Sequence, residues 1–405
     1  MSNDKSIKVL MVSTEYPPMH GGVGRYAHNL VKELRKSGLI VKIICNERGG
    51  GDYFGLAPSN DKNYQVVLKT VQEFLPDIVH VQYEHGLYGL FLDPVNPRKT
   101  RTNIDLFYDK CLVPIVTTFH TSFTFKQWMN LVIPTKNYYN LGRMGKIAHK
   151  IKKYYTHLIN YNSFNELNKT TLRKSAQGIV FSNYMKDKIG GGKVIYHGAE
   201  AAMPFSSSKR EARARFALPE TGRIALAVGF RTATKGWGIF NKMEIPSPWN
   251  IVINSSKNHY NLENFNPRFD GKNQLITLEI DFLNDTELSL LFHCADAVIL
   301  PYKVSSGSGV MFDGLAHNLP FVATDLEFFK EFSSIGLGLA VKRNPRAFTE
   351  ALTKLETNYE FYLKNVNVFR AKLRWDFIAR SHMEIYEDII KKSSQIKNET
   401  QNSSI

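Results

Sequence analysis

Short runs of aliphatic and β-branched residues recur along this chain, separated by stretches of helical periodicity, and few folds accommodate that alternation. Ile7-Lys8-Val9-Leu10-Met11-Val12 reads as a buried strand. Val23 to Lys36 carries apolar residues at Val23, Ala27, Leu30, Val31 and Leu34, which is helical spacing, and stops before Gly38. Strand-like runs follow at Leu39–Cys45, Ile78–Val81, Val113–Phe119, Gly178–Ser182 and Val194–Tyr196. A second series starts near Arg223, with Ile224–Val228, Ile251–Asn254, Ala297–Leu300 and Phe321–Thr324. Strands alternating with helices predict mainly parallel sheets covered on both faces. Two α/β halves joined near residues 200–220 are the economical arrangement, and the polar tail after Lys391 is expected to be disordered.

Length and composition agree. A chain of 405 residues holds two or three domains, and 43% apolar with 22% charged residues is ordinary for a globular protein. No run of about 18 apolar residues is present, and Met1–Leu10 does not have the form of a secretion signal. Cys45, Cys111 and Cys294 are odd in number and far apart, each in an apolar stretch, so they read as reduced core residues. The expectation is a cytoplasmic protein. Against 37 Asp and Glu stand 52 Lys and Arg, a net charge of +15 that favours anionic partners without choosing among them.

Gly22-Val23-Gly24-Arg25-Tyr26-Ala27 fits the dinucleotide pattern G-x-G-x-x-A. In that motif the glycines follow the strand almost directly. Here nine residues, Ser13 to Gly21, intervene and include Pro17 and Pro18, which makes a nicotinamide-dependent oxidoreductase a distant alternative. A Gly-Gly loop opening a helix remains suited to approach a phosphate through backbone N–H groups. The Gly49–Gly51 and Gly190–Gly192 runs read as flexible connections.

Glu15-Tyr16-Pro17-Pro18 followed by Gly21-Gly22-Val23-Gly24 resembles the opening of glycosyltransferase family four, whose members use nucleotide sugars and have the GT-B fold. Further similar segments follow in the same order. They are Asp77–Gly86, Pro114–His120, the Gly229 to Lys235-Gly236 loop, Ala295–Tyr302, Asn318–Thr324, and Trp375–Ala379 with Tyr386. The resemblance spans roughly residues 7–390 and implies two Rossmann-like domains facing across a cleft. They would comprise residues 1–200 on the acceptor side and 201–370 on the nucleotide-sugar side. A helix at 371–390 would cross back to the N-terminal domain, leaving a tail at 391–405.

The same resemblance implies roles for particular residues. Lys235 matches a lysine that contacts the donor diphosphate, and a cation there stabilises charge developing on the leaving group without a metal. Arg231 is expected as a second clamp, although it stands outside the family's commonest register. His120 is implied as a donor-sugar contact in the active site. Gly21 and Gly22 are implied as backbone donors near the diphosphate. Aligning Pro301-Tyr302 and Pro320 with the family's Glu-x7-Glu motif places Ser305 at the first glutamate and Asp313 at the second. Serine does not replace a carboxylate as an acceptor. Ser306-Gly307-Ser308-Gly309, opening the helix Val310–His317, reads as a phosphate cradle.

Between Lys110 and Asn165 there is no Asp or Glu. Met144, Ile147, Ile151, Tyr155 and Leu158 recur at helical spacing, with Lys146, Lys150 and Lys153 on another face and Phe123, Phe125, Trp128, Tyr138 and Tyr139 preceding them. A basic amphipathic helix beside an aromatic loop suits an anionic membrane surface or a phosphate-bearing acceptor. No nucleic-acid module accompanies the charge. The combined expectation is a GT-B glycosyltransferase that transfers a sugar from a UDP- or GDP-sugar to a glycan or lipid-linked acceptor. It is expected to act with retention, without a cofactor, and in the cytoplasm or at the inner membrane face. A nucleotide-sugar-binding protein without turnover is the alternative that Ser305 motivates.

Overall fold

The computed structural model describes residues 6–90, 101–131, 142–201, 208–257, 274–278 and 280–402, with side chains as far as Gln395. The chain divides into two units, Met1–Gly198 with Trp375–Ile405, and Ala199–Arg374. The boundary of the second unit thus falls at the start of the final helix.

The first unit is built on a six-stranded sheet of β1 (Lys8–Val12), β2 (Ile40–Ile44), β3 (Ile78–Tyr83), β4 (Ile115–Phe119), β5 (Gln177–Val180) and β6 (Lys193–Val194). Its strand order is β2-β1-β3-β4-β5-β6, with parallel pairing throughout. Every residue of β3 and β4 is buried, as expected for central strands of a parallel sheet covered on both faces, although His80, Gln82, Thr117 and Thr118 interrupt their apolar runs. From β1 the chain goes to β2 on one side, then crosses to β3 on the other. The loops after β1 and β3 therefore diverge above the sheet, which is where ligands of open α/β sheets bind.

The second unit repeats the plan with β7 (Arg223–Phe230), β8 (Trp249–Ser256), β9 (Leu275–Leu278), β10 (Ala297–Leu300), β11 (Phe321–Thr324) and β12 (Gly338–Val341). The order is β12-β11-β10-β7-β8-β9, again parallel, with its crossing point between β7 and β10. Asp296 braces this unit, accepting from Arg213 at 2.8 Å, Lys209 at 2.7 Å and the Ile224 amide at 2.9 Å.

The final helix, Trp375–Asn402, continues through the segment expected to be a disordered tail. A helix already seated on a core extends outward with polar residues at little cost. Trp375, Ile378, Ala379, Ile385 and Tyr386 belong to the hydrophobic core of the first unit. Trp375 fills the space over Gly198, where a Cβ would strike the indole, and lies 5.5 Å from Tyr26 between ring centroids. The Gly49–Gly51 run is an ordered turn rather than a flexible connection. Gly50 donates to the Pro17 carbonyl at 2.7 Å, and a side chain at Gly49 or Gly51 would press on Cys45 Sγ. Among the described residues no helix is long and apolar enough to cross a membrane.

Trp375→Ala should lower stability by about 3–5 kcal/mol, the usual cost of emptying a large aromatic site. Chemical denaturation checks this, and a loss below about 1 kcal/mol would show that the helix is only loosely seated.

Candidate functional site

In the first unit the loop after β1 turns its polar residues inward. Ser13, Thr14, Glu15 and Tyr16 are all buried. The helix Gly22–Lys36 starts directly after this loop, with Gly21 as its extended N-cap and no side-chain cap from Gly21 itself. Glu15 supplies the missing acceptor: its Oε2 takes the Gly24 amide at 3.3 Å. A Cβ at Gly21 would displace the Glu15 carboxyl from its place against the helix start. Gly21 and Gly22 thus open a helix whose free amides face a buried carboxyl of the chain itself. Burial pushes the Glu15 carboxyl up to about 7 and outweighs the Gly24 bond, which lowers it, while nearby Glu84 raises it further. Glu84, after β3, is likewise raised, chiefly by burial. It accepts from Thr121 Oγ1 at 3.2 Å and from the Leu87 amide at 3.2 Å.

His120 leaves the end of β4, with its backbone amide bonded to the Tyr83 carbonyl at 3.0 Å. Its Nε2 lies 2.9 Å from Gln82 Oε1, and Tyr26, Phe181 and His197 surround the ring. Burial, and then the neighbouring His197, hold the imidazole down to about 3, so it is neutral at physiological pH. Thus His120, Gly21, Glu15 and Glu84 all sit above the carboxyl ends of β1, β3 and β4.

In the second unit Lys235 ends a single turn, Ala233–Lys235, that follows β7. Its Nζ rests 3.9 Å from the centre of the Tyr302 ring, just past β10. Gly236 has φ +74, and a Cβ there would collide with the Pro301 carbonyl, so the β7 and β10 loops touch through a glycine. Arg231 goes the other way. Its Nε donates to the Ser255 carbonyl at 3.1 Å and Oγ at 3.2 Å, at the end of β8. Since β7 lies between β10 and β8, Lys235 and Arg231 are held on opposite sides of β7. Ser305 Oγ donates to the Gly307 carbonyl at 2.8 Å and closes the loop on itself. Ser308 caps the helix Gly309–Ala316 by accepting from the Met311 amide at 3.2 Å. Ser306 is buried beside them, and Asp313 lies one turn into the helix at 4% exposure. Lys235 and the segment Ser305–Gly309 therefore share the β7/β10 crossing point.

Residues 20–198 match the family model described as Glycosyltransferase Family 4. Residues 20–198 are thus similar to a glycosyltransferase family 4 domain. Solved structures extend the likeness over both units. Sucrose-phosphate synthase from Thermosynechococcus elongatus aligns over 95% of this chain and 100% of its own, at 12% identity and a TM-score of 0.65. A glycosyltransferase from Rickettsia africae aligns over 95% and 99%, at 16% identity and a TM-score of 0.62. Anabaena HepE, solved in complex with UDP-glucose, aligns over 96% and 100%, at 12% identity and a TM-score of 0.59. A comparison with curated protein sequences gives no significant match. The fold is GT-B.

Glu15 and Glu84 were not singled out from the sequence as site residues. A glutamate in a proline-rich loop carries no local mark of burial. Its only signal is that a glycine helix start lacks a side-chain cap and must find an acceptor elsewhere. Among the described residues no group of three or more His, Cys, Asp or Glu is arranged to hold a metal ion.

Because its folded value is raised, Glu15 contributes stability that is fully present below about 4.5 and is lost as pH rises through about 7. Glu15→Gln should therefore be more stable than wild type at pH 8.5, by up to about 3 kcal/mol, with the difference shrinking towards pH 4.5. Thermal melts of both proteins across that range check this. A difference independent of pH would mean that the carboxyl is not held neutral.

Proposed function

We propose that this glycosyltransferase moves a sugar from a UDP- or GDP-sugar to a glycan or lipid-linked acceptor, with retention and without a metal. What supports the reading is that Lys235, resting on Tyr302, and the helix start at Ser308 both follow the strands flanking the β7/β10 crossing point. A leaving diphosphate needs positive charge and amide donors. The ammonium supplies the first, and the amides of the first helical turn supply the second. The complex of HepE with UDP-glucose supports a nucleotide-sugar donor. Asp313 would accept from ribose hydroxyls and His120 would meet the donor sugar. Gly21 and Gly22 would approach the diphosphate when Glu15 is neutral. Arg231 would add charge at longer range, since Ser255 holds its guanidinium away from Lys235.

The helix Arg143–Lys174 supports an acceptor at an anionic membrane surface. Its first half exposes Met144 (78%), Ile147, Ile151 (65%), Tyr155 and Leu158, with exposed Lys150 and half-buried Lys146 and Lys153 beside them. Its second half is anchored through buried Asn160, Phe164, Leu167, Asn168 and Thr171, and Trp128 stacks on His157 at 4.4 Å. An apolar row flanked by lysines matches a bilayer interface better than bulk water. Tyr138 and Tyr139 lie outside the described residues. A second reading, donor binding without turnover, is favoured by one observation: Ser305 spends its hydroxyl proton on Gly307 where the family has a carboxylate.

A thermal-shift and hydrolysis panel of UDP-, GDP- and ADP-sugars tests the donor. One sugar nucleotide should stabilise wild type and be slowly hydrolysed, with turnover reduced by about 10²–10³ in Lys235→Ala. Stabilisation without sugar release, with or without acceptors, would favour the binding-only reading, and no stabilisation by any nucleotide would overturn the site. Replacing Lys146, Lys150 and Lys153 together by Glu should weaken binding to phosphatidylglycerol vesicles by at least about 100-fold, from about 1 kcal/mol per lysine. Sedimentation with vesicles measures it, and equal binding by variant and wild type would remove the membrane assignment.

A further inference from the structure

Tyr386, His80 and Gln82 connect the final helix to His120, with Thr118 and Met11 bonded alongside. On β3, His80 and Gln82 are two residues apart and share one face, and Thr118 of β4 stands opposite Gln82 in register. His80 Nδ1 meets Tyr386 Oη at 2.7 Å, and His80 Nε2 meets Thr118 Oγ1 at 2.7 Å. The Gln82 amide nitrogen lies 3.1 Å from Met11 Sδ and 3.3 Å from His80 Nε2, while its oxygen lies 2.9 Å from His120 Nε2. His80, Gln82 and Thr118 are fully buried.

This geometry fixes proton positions. A thioether sulfur has no hydrogen to give, so the side of Gln82 facing Met11 must be the NH₂ group, and the side facing His120 must be the carbonyl oxygen. A carbonyl oxygen only accepts, so His120 Nε2 must carry the hydrogen. At His80, the Gln82 NH₂ group faces Nε2 at 3.3 Å, so that nitrogen carries the lone pair, which accepts mainly from the Thr118 hydroxyl at 2.7 Å and leaves Nδ1–H to donate to Tyr386. Reversing the amide would set lone pairs of Gln82 against both Met11 and the His80 acceptor nitrogen. Each of those contacts is buried, where an unmet or opposed polar group is most costly.

We propose that Gln82 is a positioning residue that locks His120 as the Nε2–H tautomer and leaves Nδ1 as a fixed acceptor for a sugar hydroxyl. The recognition step rests on the reading that His120 meets the donor sugar, while the tautomer lock does not. The lock is anchored through His80 to Tyr386, so the last helix of the chain helps set the tautomer of the residue that follows β4. The neutral ring that burial and His197 enforce keeps Nδ1 from becoming a second donor.

The test is nitrogen-15 NMR of histidine-labelled full-length protein, comparing wild type, Gln82→Leu and Gln82→Glu between about pH 6 and pH 8. Wild-type His120 should show an unprotonated Nδ1 and a protonated Nε2 throughout. Gln82→Leu should give a tautomer mixture, and Gln82→Glu should raise the His120 pKa because a carboxylate stabilises the imidazolium. In binding assays Gln82→Leu should weaken a sugar nucleotide about tenfold, the loss of one hydrogen bond to a buried group, and leave the matching sugar-free nucleotide unchanged. A wild-type His120 carrying hydrogen on Nδ1, or one unaltered in Gln82→Leu, would overturn the lock. The wild-type spectrum decides the point even if the variants fail to fold. If the tautomers behave as expected but sugar and sugar-free nucleotides weaken equally, the lock is supported and the donor-sugar contact of His120 is what fails.

Discussion

The contact between Tyr386 and His80 sits where most of the first unit's order converges. β3 is a wholly buried strand that nonetheless carries His80 and Gln82, and polar groups taken from water in this way are tolerated only when bonded. Their partners come from β1 (Met11), β4 (Thr118), the residue after β4 (His120) and the final helix (Tyr386). The first unit is therefore incomplete until the last segment of the chain has arrived. The second unit is inserted before that segment, and its two ends are tied together where the Ala199 amide donates to the Leu373 carbonyl at 2.9 Å. Both connections thus leave the first unit side by side. One of them leads immediately into Trp375, which packs on Gly198 at the other.

The two units solve the same local problem, a helix start above a parallel sheet, with different chemistry. In the second, neutral Ser308 caps the helix and leaves its positive end for an anion. In the first, Glu15 takes the cap. A glutamate at a helix N-terminus is normally stabilised in its charged form, yet burial and Glu84 prevail here and hold it near neutrality. That choice matters for the proposed chemistry. A charged Glu15 would repel a diphosphate from Gly21 and Gly22, whereas a neutral carboxyl leaves the amides' field largely unspent.

The parallel architecture was legible because buried strands keep an apolar signature whatever surrounds them. β9 and β12 escaped notice: each is four residues long and at a sheet edge, and β9 holds Thr277 while β12 begins at Gly338. The helix Arg143–Lys174 was legible only to Leu158. Beyond it the buried face is built from Asn160, Asn168 and Thr171 as well as Phe164 and Leu167, so polarity no longer reports which side is inward. Lys235, His120 and the serine-glycine loop are candidate site residues only through resemblance, since nothing in their local sequence distinguishes them from solvated loop residues. Arg231 shows the limit of that route. Its position in the loop was readable, but a side-chain direction set by Ser255 on the next strand was not.

The proposed anion site at Lys235 depends on the protein around it. Its loop is held against Pro301 by Gly236 and by Arg343, whose Nε donates to the Pro301 carbonyl at 3.0 Å and whose second nitrogen reaches the Gly236 carbonyl at 3.4 Å. The Lys303 amide donates to the Thr234 carbonyl at 2.8 Å, closing the same junction from the other loop. Lys235, Lys303 and Arg343 are thereby gathered around one strand end. Burial lowers the pKa values of Lys303 and Arg343, and Arg343 adds repulsion to Lys303. Arg343 is satisfied by the Pro301 and Gly236 carbonyls, and the Tyr302 ring faces Lys235. An anion bound there would gain the attraction of these cations.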